Sequence, residues 1–383
     1  MHVLVLCKRQ YTSRDLLDDR YGRLYEIPEH LAALGHRVTG VTLSYRRRHQ
    51  ARQLSPAGVS WNSFNVLPAG PLKLLEAVRR LRKRDRPDVL WASSDAPCAV
   101  AGRLIARHLG IPLVVDLYDN YESFGLTRLP GMAAAFRRTC RDAAGLSVVS
   151  QTLADHLQHT LAPQGAVRVI GNGINPDLFH PMGQADCRRA LQLPAHARLI
   201  GCAGALDASR GIADLFEAFL QLAEHHPDLH LVIAGPRDAT PGRYRHPRII
   251  DLGLLPWQRV PLLLNGLDVS IVCNRDDAFG RYCYPLKLQE SLACDIHVVA
   301  AAVGDVPALL EGDVTALYRA GDSHSLADAI IAKLASSARP ARPVRPADWQ
   351  QRAAAVGRLL SLATRAEGPG PTPSPRSLDS GYF

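Results

Sequence analysis

Hydrophobic and polar residues alternate along the chain on two length scales. Short apolar runs recur, such as HVLVLC (2–7), and longer amphipathic segments follow them, such as GRLYEIPEHLAALGH (22–36). Continuous apolar runs are typical of strands that a parallel sheet buries on both faces, and segments with a 3.6-residue period predict helices. The pattern therefore predicts an α/β protein in which strands and helices alternate.

The predicted strands fall into two groups, separated by the turn-rich segment NPDLFHPMGQAD (175–186). The first group comprises 2–7, 37–43, 88–93, 112–118, 145–150 and 167–173. The second group comprises 198–204, 229–235, 248–253, 268–273 and 297–302. A chain of 383 residues also exceeds what one hydrophobic core usually supports. We therefore predict two doubly wound, Rossmann-like domains, over 1–180 and 181–345, followed by a helix over 346–364 and a disordered, Pro/Gly/Ser-rich tail over 365–383.

The composition is that of an ordinary soluble globular protein, with 47% apolar and 21% charged residues. Its eight cysteines are scattered without a Cys-x-x-Cys pair, which favours reduced thiols over a disulfide framework or a zinc site. The first apolar run is too short for a signal peptide, and no run approaches the length of a membrane span. These features predict a cytoplasmic protein.

Positive charge is concentrated in the first half of the chain. The net charge is +9, and residues 1–180 hold 24 Lys/Arg against 15 Asp/Glu, whereas the remainder holds 21 of each. The excess peaks in YRRRHQ (45–50) and in PLKLLEAVRRLRKRDRPD (71–88), where the periodicity predicts a helix that turns Leu74, Leu75, Val78 and Leu81 toward the core. One interpretation is a solvated arginine-rich face. The other is a patch for an acidic acceptor or for anionic lipid, with peripheral contact at the inner face of the membrane. Nucleic acid is disfavoured, because no aromatic residues are interleaved with the charges.

One stretch combines a Phe-Gly turn, a Pro-x-Lys-x-x-Glu helix start, an apolar strand and a Gly-Pro loop: FGRYCYPLKLQESLACDIHVVAAAVGDVP (279–307). Pro285 suits the first position of a helix, and Lys287 and Glu290 then share one face near its N-terminal end. Gly280 in the preceding loop allows backbone amides to approach an anion closely. A cation beside phosphate-binding amides, with a carboxylate that accepts from two vicinal hydroxyls, indicates a nucleotide or sugar-nucleotide site. An ordinary Lys–Glu pair on the surface is the alternative interpretation.

The sequence resembles the retaining glycosyltransferases of glycosyltransferase family 4, group 1 type. The resemblance covers roughly residues 1–335 and depends on the order of several landmarks, which include YGRLYEIPEHLAALGHRVTGVT, DVLWASSDAP, VVDLYDNYESF, VIGNGINPDLFHP and PLKLQESLACDIHVVAAAVGDVPALL. It implies a GT-B architecture, in which two Rossmann-like domains face each other across a cleft. It also implies transfer of a sugar from a nucleotide-diphosphate sugar, as co-substrate, to a cell-surface or exopolysaccharide-type acceptor, with a lipid-linked acceptor as one option. No metal and no further cofactor are expected.

The resemblance also implies roles for individual residues. Arg210 and Lys287 would neutralise the diphosphate leaving group, and Asp119 would lie on the acceptor side of the cleft. Glu290 matches the second glutamate of the family's paired-glutamate motif, which holds the ribose hydroxyls. The other donor-site positions are the backbone around Gly280 and Arg281, the loop glycine Gly22, and Gly253 in the turn that flanks the base.

Four positions depart from the family's pattern. Tyr282 occupies the place of the first glutamate, eight residues before Glu290, so that Asp277 could supply the missing carboxylate only if its loop folds back. Ala205 stands where an arginine is frequent, Asp295 where a glycine is usual, and Tyr118 where a histidine is common. Two further hypotheses therefore stay open: a catalytically weak nucleotide-sugar-binding or partner subunit of the same fold, and a sugar-nucleotide epimerase.

Overall fold

The computed structural model describes residues 1–11, 14–67, 70–336 and 345–366, which form two large sheets with helices on both faces. The elements of the first domain are β1 (His2–Lys8), β2 (Gln10–Tyr11), β3 (Arg14–Asp15), α1 (Leu16–Asp19), α2 (Arg23–Ala33), β4 (Arg37–Ser44), β5 (Arg52–Leu54), β6 (Ser60–Asn65), α3 (Gly70–Arg84), β7 (Val89–Ala92), α4 (Ala96–Leu109), β8 (Leu113–Leu117), α5 (Met132–Asp142), β9 (Gly145–Val148), α6 (Gln151–Leu161) and β10 (Ala166–Val169). Those of the second domain are α7 (Gln184–Ala190), β11 (Arg198–Ala203), α8 (Ile212–His225), β12 (Leu229–Ala234), β13 (Ile249–Asp251), α9 (Val260–Gly266), β14 (Val269–Val272), α10 (Leu286–Ala293), β15 (His297–Ala301), α11 (Val306–Leu309), β16 (Leu317–Tyr318) and α12 (Ser323–Leu334). A last helix, α13, runs over Trp349–Ala366.

The first sheet has eight strands in the order β10-β9-β8-β7-β1-β4-β6-β5, and only β5 runs antiparallel to its neighbour. Its central strands are apolar because helices cover them on both faces. The second sheet has six parallel strands in the order β13-β12-β11-β14-β15-β16. In both sheets the order reverses next to the first strand of the domain, and ligands bind such sheets at the carboxyl ends of the strands beside this reversal. The prediction of two doubly wound domains is confirmed.

The last helix packs on the first domain, although it follows the second domain in sequence. Its apolar face joins the core that lies between the first sheet and α2, through Trp349, Val356 and Leu360 among others. The helix continues to Ala366, so that the first two residues of the predicted tail are helical. The rest of that tail, 367–383, lies outside the described residues.

Two local expectations are wrong. Leu75 of α3 was expected in the core, but it is 39% exposed, because Leu74, Val78 and Leu81 already fill the inner face of this helix. Pro285 is not the first residue of α10 but its N-cap, with an extended ψ of 103°, and the helix begins at Leu286.

A buried ion pair holds the centre of the first domain together. Arg23, the first residue of α2, donates to Asp116 at the middle of β8, and neither side chain is exposed. Asp116 also accepts from the hydroxyls of Ser93 and Ser147, at 2.8 and 2.6 Å. Arg23 further donates to the carbonyls of Ile170 and Gly171, where the chain leaves the first sheet. Every polar group of the pair is therefore used, which is the condition under which a buried charge pair is tolerated.

The two domains touch at the start of α6. Asp305, in the loop after β15 of the second domain, accepts from the N–H groups of Gln151 and Thr152 at 2.6 and 2.9 Å. In return, the hydroxyls of Ser150 and Thr152 donate to the carbonyls of Tyr282 and Arg281 at 2.8 and 3.0 Å. We call this set of contacts the α6 latch, and it joins the two domains by four hydrogen bonds.

Candidate functional site

Lys287 lies at the carboxyl end of β11, against a glycine turn. Its Nζ donates to the carbonyl of Ala205 at 3.3 Å, and its side chain crosses directly over Gly204. A Cβ added at Gly204 would lie 2.4 Å from Cε of Lys287, so that only glycine leaves room for this path. Gly204 also has φ +108°, a backbone conformation that other residues rarely adopt. The turn thus brings a cation to the edge of the sheet where phosphates are usually bound.

Glu290 lies one turn after Lys287 and faces the first domain across a narrow crevice. The crevice is lined by residues of both domains: Tyr21, Gly22, Glu26, Gly173, Ile174, Asn175, Phe179, Trp257, Leu286, Glu290 and Trp349. Burial raises the pKa of Glu290 to about 7, although Lys287, Trp257 and Arg14 all favour its ionised form. Gly22 and Glu290 therefore line the same crevice, from opposite domains.

An aromatic stack closes this crevice from the first domain. The Arg14 guanidinium lies 4.3 Å from the centroid of the Tyr21 ring, and Tyr21 packs edge-to-face on Trp257 at 5.5 Å. Trp257 in turn contacts Phe179 at 5.9 Å. The same crevice holds Glu26, whose pKa burial and Glu29 raise to about 7. Two protonatable carboxyl groups, one from each domain, therefore lie on opposite walls of one crevice.

The loop before α10 is folded tightly around Gly280. A Cβ at Gly280 would lie 1.9 Å from the carbonyl oxygen of Arg275 and 2.9 Å from Oδ1 of Asn274. The N–H groups of Phe279 and Gly280 both donate to Oδ1 of Asp277, at 2.9 and 2.8 Å. The Asp277 carboxylate therefore accepts the hydrogen bonds of the same N–H groups that, by the resemblance, would bind the diphosphate. The loop does fold back, as a substitute carboxylate would require, but the carboxylate caps the loop itself and is exposed to solvent. A phosphate that binds these amides must displace it.

The side chains of Arg281 and Tyr282 point away from the crevice that Glu290 lines. Arg281 is exposed and pairs with Asp276 at 2.8 Å. Tyr282 lies against α6 of the first domain, with its hydroxyl 3.3 Å from Nδ1 of His156 and the two rings 4.8 Å apart. The place of the family's first glutamate is thus taken by a residue that contacts the opposite domain.

Asp119, Arg210 and Lys8 form a second group of charges, to which both domains contribute. Asp119 follows β8 and is only 8% exposed, and burial raises its pKa to about 7. The Asn120 N–H at 2.9 Å, and then Arg210 and Lys8, favour its ionised form. Arg210 comes from the second domain and lies 4.2 Å from the centroid of the Phe279 ring. Arg210 and Asp119 are therefore brought together from different domains.

Gly253 lies further from these groups. It has φ +66°, its N–H donates to Asp251 at 2.8 Å, and its carbonyl accepts from Gly235. It shapes the turn that leads to Trp257. Ala205, where an arginine is frequent in the family, offers its carbonyl to Lys287 instead. Asp295 adopts the left-handed φ of +52° that a glycine usually takes, and it pairs with Arg345 at 2.8 Å.

Three further residues near these groups, Lys8, Gly204 and Tyr21, were not predicted from the sequence. Lys8 is the last residue of β1, and a charged residue at the carboxyl end of a central strand was the signal that could have found it. Gly204 directly follows β11, and a glycine at the carboxyl end of a central strand was the signal that could have found it. Tyr21 had no local signal, because its partner Trp257 is more than 200 residues away. Within the described ranges, no group of three His, Cys, Asp or Glu side chains is placed to hold a metal ion.

Comparison with known proteins identifies the class that this cleft belongs to. The family model described as Glycosyltransferase Family 4 matches residues 23–178, and the model described as Glycosyl transferases group 1 matches residues 197–336. Between them the two models span most of both domains. The chain belongs to glycosyltransferase family 4, group 1.

Curated relatives agree with this assignment at low identity. D-inositol 3-phosphate glycosyltransferase of Corynebacterium glutamicum (strain R) is 28% identical over 201 residues, which are 48% of this chain and 47% of that protein. 2-Deoxystreptamine N-acetyl-D-glucosaminyltransferase of Streptomyces fradiae is 26% identical over 334 residues, 78% of this chain and 76% of that protein. The chain spans about half the length of the first of these relatives.

Solved structures show the same fold over almost the whole chain. Sucrose-phosphate synthase from Thermosynechococcus elongatus superposes with a TM-score of 0.69 at 18% identity, covering 95% of this chain and 97% of that one. HepE of Anabaena, in complex with UDP, gives a TM-score of 0.68 at 18% identity, covering 96% and 98%. The expected GT-B architecture is confirmed.

Proposed function

We propose that this protein transfers a sugar, with retention of anomeric configuration, from a nucleotide-diphosphate sugar to a hydroxyl of an acceptor held by the first domain. The observation that carries the proposal is the pairing of Lys287 and Glu290 on the first turns of α10, with the Lys287 side chain laid over Gly204. This arrangement offers a cation for a diphosphate and, one helical turn away, a carboxylate for a ribose diol. Family membership supports the same reaction class.

The charges of the cleft suit a reaction in which the leaving group carries the developing negative charge. The bond between the anomeric carbon and the phosphate oxygen breaks, and a new bond forms from the acceptor oxygen to the same face of that carbon. The proton of the acceptor hydroxyl passes to the departing phosphate oxygen, so that no strong protein base is needed. Lys287 and Arg210 stabilise the charge on that phosphate, which is the main electrostatic contribution the protein makes.

Asp119 is well placed to orient the acceptor. It is buried at the carboxyl end of β8, near both Arg210 and Lys8, and its pKa of about 7 leaves it part protonated at neutral pH. A carboxyl group in this state both accepts and donates hydrogen bonds to sugar hydroxyls. We further propose that the acceptor is a cell-surface or exopolysaccharide-type glycan, with lipid-linked saccharides among the acceptors to be tested.

A second candidate is a nucleotide-sugar-binding protein with little turnover. The observation that favours it is the position of Tyr282, whose hydroxyl faces His156 of the other domain and not the donor crevice. The capping of the Phe279 and Gly280 amides by Asp277 points the same way, because a donor must displace this carboxylate.

Calorimetry with a panel of nucleotides and nucleotide sugars tests the donor site. HepE was solved with UDP, so uridine nucleotides come first, followed by guanosine and adenosine nucleotides. We expect one diphosphate nucleotide to bind in the micromolar range, about −8 kcal/mol. Glu290→Ala should weaken it about tenfold or more, whereas Glu224→Ala, on the exposed face of α8, should not change it.

Product analysis then separates the candidates. Incubation with the bound nucleotide sugar and a glycan acceptor should release the nucleotide and form an anomer of the donor's configuration, which proton NMR identifies. Tight binding without product would establish the second candidate. Conversion of the nucleotide sugar into an isomer without any acceptor would indicate an epimerase. Equal binding by wild type and Glu290→Ala would refute the donor site itself.

A further inference from the structure

The outward face of α3 and the loop 45–50 form one surface on the first domain, which we call the basic surface. Helix α3 turns Leu74, Val78 and Leu81 toward the core. The opposite positions follow a helical spacing and face solvent: Leu72, Leu75, Glu76, Arg79, Arg80 and Lys83. Leu72 is 72% exposed, and Leu67, just before the helix, is 74% exposed. Exposed leucines therefore lie at the N-terminal end of the helix, and cations lie toward its C-terminal end.

Hydrogen bonds hold the loop 45–50 beside this helix. Nζ of Lys73 donates to Oε1 of Gln50 at 2.9 Å. The Asn65 side chain accepts from the N–H of Arg48 at 3.1 Å and donates to its carbonyl at 2.8 Å. Because of these contacts, Arg46, Arg47 and Arg48 lie next to the end of α3 that carries the exposed leucines.

The charge of the basic surface is nearly all of one sign. The loop 45–50 and α3 together hold nine Lys or Arg residues against a single Glu, in a chain whose net charge is +9. Arg80 pairs with Glu76, and Nε of Arg48 lies 4.0 Å from Asp15. Among the residues that the structure describes, no carboxylate lies within ion-pair distance of Arg46, Arg47, Arg79, Arg82 or Lys83. The surface thus complements an extended anionic partner.

The basic surface borders the acceptor side of the cleft. The Tyr45 hydroxyl donates to Asp95 at 3.0 Å, at the start of α4. Arg9, which follows Lys8 at the end of β1, donates to the carbonyl of His49 at 2.8 Å. The loop 45–50 is therefore connected to the end of β1, which carries Lys8, and to the start of α4 after β7, the strand next to the β8 that leads to Asp119.

We infer that the basic surface docks on an anionic lipid bilayer. Arginines and lysines are attracted to lipid phosphates, and leucines beside them insert at the boundary between headgroups and acyl chains. Leu67 and Leu72 are more than two-thirds exposed, which a merely solvated arginine-rich face does not require. Exposed leucines also do not form the stacking contacts by which proteins bind nucleic acid. In the described part of the chain, no helix has the length and apolar composition needed to cross a bilayer, so the contact would be made at its surface. Docking would place the acceptor side of the cleft close to the headgroups, and it does not depend on the proposed transfer reaction.

Cosedimentation with vesicles tests this inference on the full-length chain. The probes are vesicles of phosphatidylcholine alone and of phosphatidylcholine with phosphatidylglycerol, at physiological ionic strength. We expect binding only to the anionic vesicles. Arg46→Gln/Arg47→Gln should weaken it about 25-fold, at roughly fivefold for each charge near the surface. Leu72→Ser/Leu75→Ser should weaken it about tenfold or more, through lost apolar burial.

The matched control is Arg243→Gln/Arg245→Gln, which removes two exposed arginines from the second domain and should leave vesicle binding unchanged. Nucleotide binding by calorimetry should be the same in all these variants, which separates a failure of docking from a failure of the donor site. Absence of wild-type binding to anionic vesicles would overturn the inference. If the control variant loses as much vesicle binding as Arg46→Gln/Arg47→Gln, the attraction comes from the net charge of the protein and the inference is wrong. Tighter binding to duplex DNA than to anionic vesicles would make nucleic acid the partner instead.

Discussion

Replacing Gly204 by alanine tests whether Lys287 is a phosphate ligand. A methyl group at this position would lie 2.4 Å from Cε and 2.9 Å from Nζ of Lys287. These atoms belong to the flexible end of a side chain, so that lysine can swing away without unfolding the domain. It would then leave the carbonyl of Ala205 and the end of β11.

Two energies contribute, and they are measured separately. The φ of +108° at Gly204 is strained for alanine, which costs about 1–3 kcal/mol of stability. Loss of a charge-assisted hydrogen bond from Lys287 to a phosphate costs about 1.5–3 kcal/mol of binding free energy. The second cost corresponds to a dissociation constant about 10- to 150-fold higher for a diphosphate nucleotide.

The assay combines urea denaturation with calorimetry of the nucleotide that the wild type binds. The control is Gly312→Ala in the same domain, where φ is +77° and no atom lies within 4 Å of the added methyl group. This variant should lose a similar amount of stability and keep its nucleotide affinity. Lys287→Met should lose as much affinity as Gly204→Ala, and combining the two changes should add little.

Two results would contradict the reasoning. If Gly204→Ala binds the nucleotide as tightly as the wild type, Lys287 does not contact the phosphates. If Gly312→Ala loses equal affinity, the loss comes from a weakened domain and says nothing about Lys287.

Three further predictions follow from other parts of the structure. Asp116→Asn leaves Arg23 buried without its carboxylate and should lower the free energy of unfolding, measured in urea, by about 3–5 kcal/mol. The control Asp85→Asn removes a carboxylate from an exposed ion pair and should lower it by less than about 1 kcal/mol. Equal losses in the two variants would show that the buried pair contributes no more stability than the exposed one. A carboxyl group accepts from two hydroxyls through both oxygens only when it is ionised. If Glu290 binds the ribose in this way, nucleotide affinity should fall as the pH drops from roughly 8 to 6, through its pKa of about 7, and Glu290→Gln should flatten this calorimetric profile. A profile that Glu290→Gln leaves unchanged would assign the proton to another group. Asp305→Ala removes the carboxylate that accepts from the first two N–H groups of α6, worth about 1 kcal/mol, and leaves the Ser150 N-cap in place. It should raise the radius of gyration in X-ray scattering, whereas an identical scattering curve would mean that the α6 latch does not hold the two domains together.

Most of the fold could be predicted because central parallel strands are continuous apolar runs with clear ends. The strands β5 and β6 were missed, since Arg52–Leu54 and SWNSFN alternate polar and aromatic residues at the edge of the sheet. Helix α5 was missed because it buries only Phe136, Thr139 and Cys140. Elements at the edge of a sheet bury few side chains, so their sequences show little of the hydrophobic periodicity that predicts strands and helices.

The placement of Lys287 and Glu290 on one helix was also predictable, since they are three residues apart in a segment with helical periodicity. Contacts between the domains were not. The meeting of Tyr21 with Trp257 depends on the closure of the cleft, and no spacing along the chain encodes it. The Tyr282 side chain likewise points toward His156 because the two domains meet there, which the spacing along the chain does not reveal. Roles carried by the resemblance stay predictions until the donor is identified.

The packing of α13 on the first domain has a consequence for biosynthesis. The apolar face that Val3, Val5 and Leu31 present early in the chain is covered by Trp349 and Leu360, which are made after the second domain. About 180 residues separate β10 from α13, and a ribosome needs roughly 10 to 40 seconds to add them at about 5–20 residues per second. During that time the second domain can fold completely, while the first displays an uncovered hydrophobic face to the cell. The domain that is translated first is therefore the domain that finishes folding last, because its apolar face stays uncovered until α13 has been made.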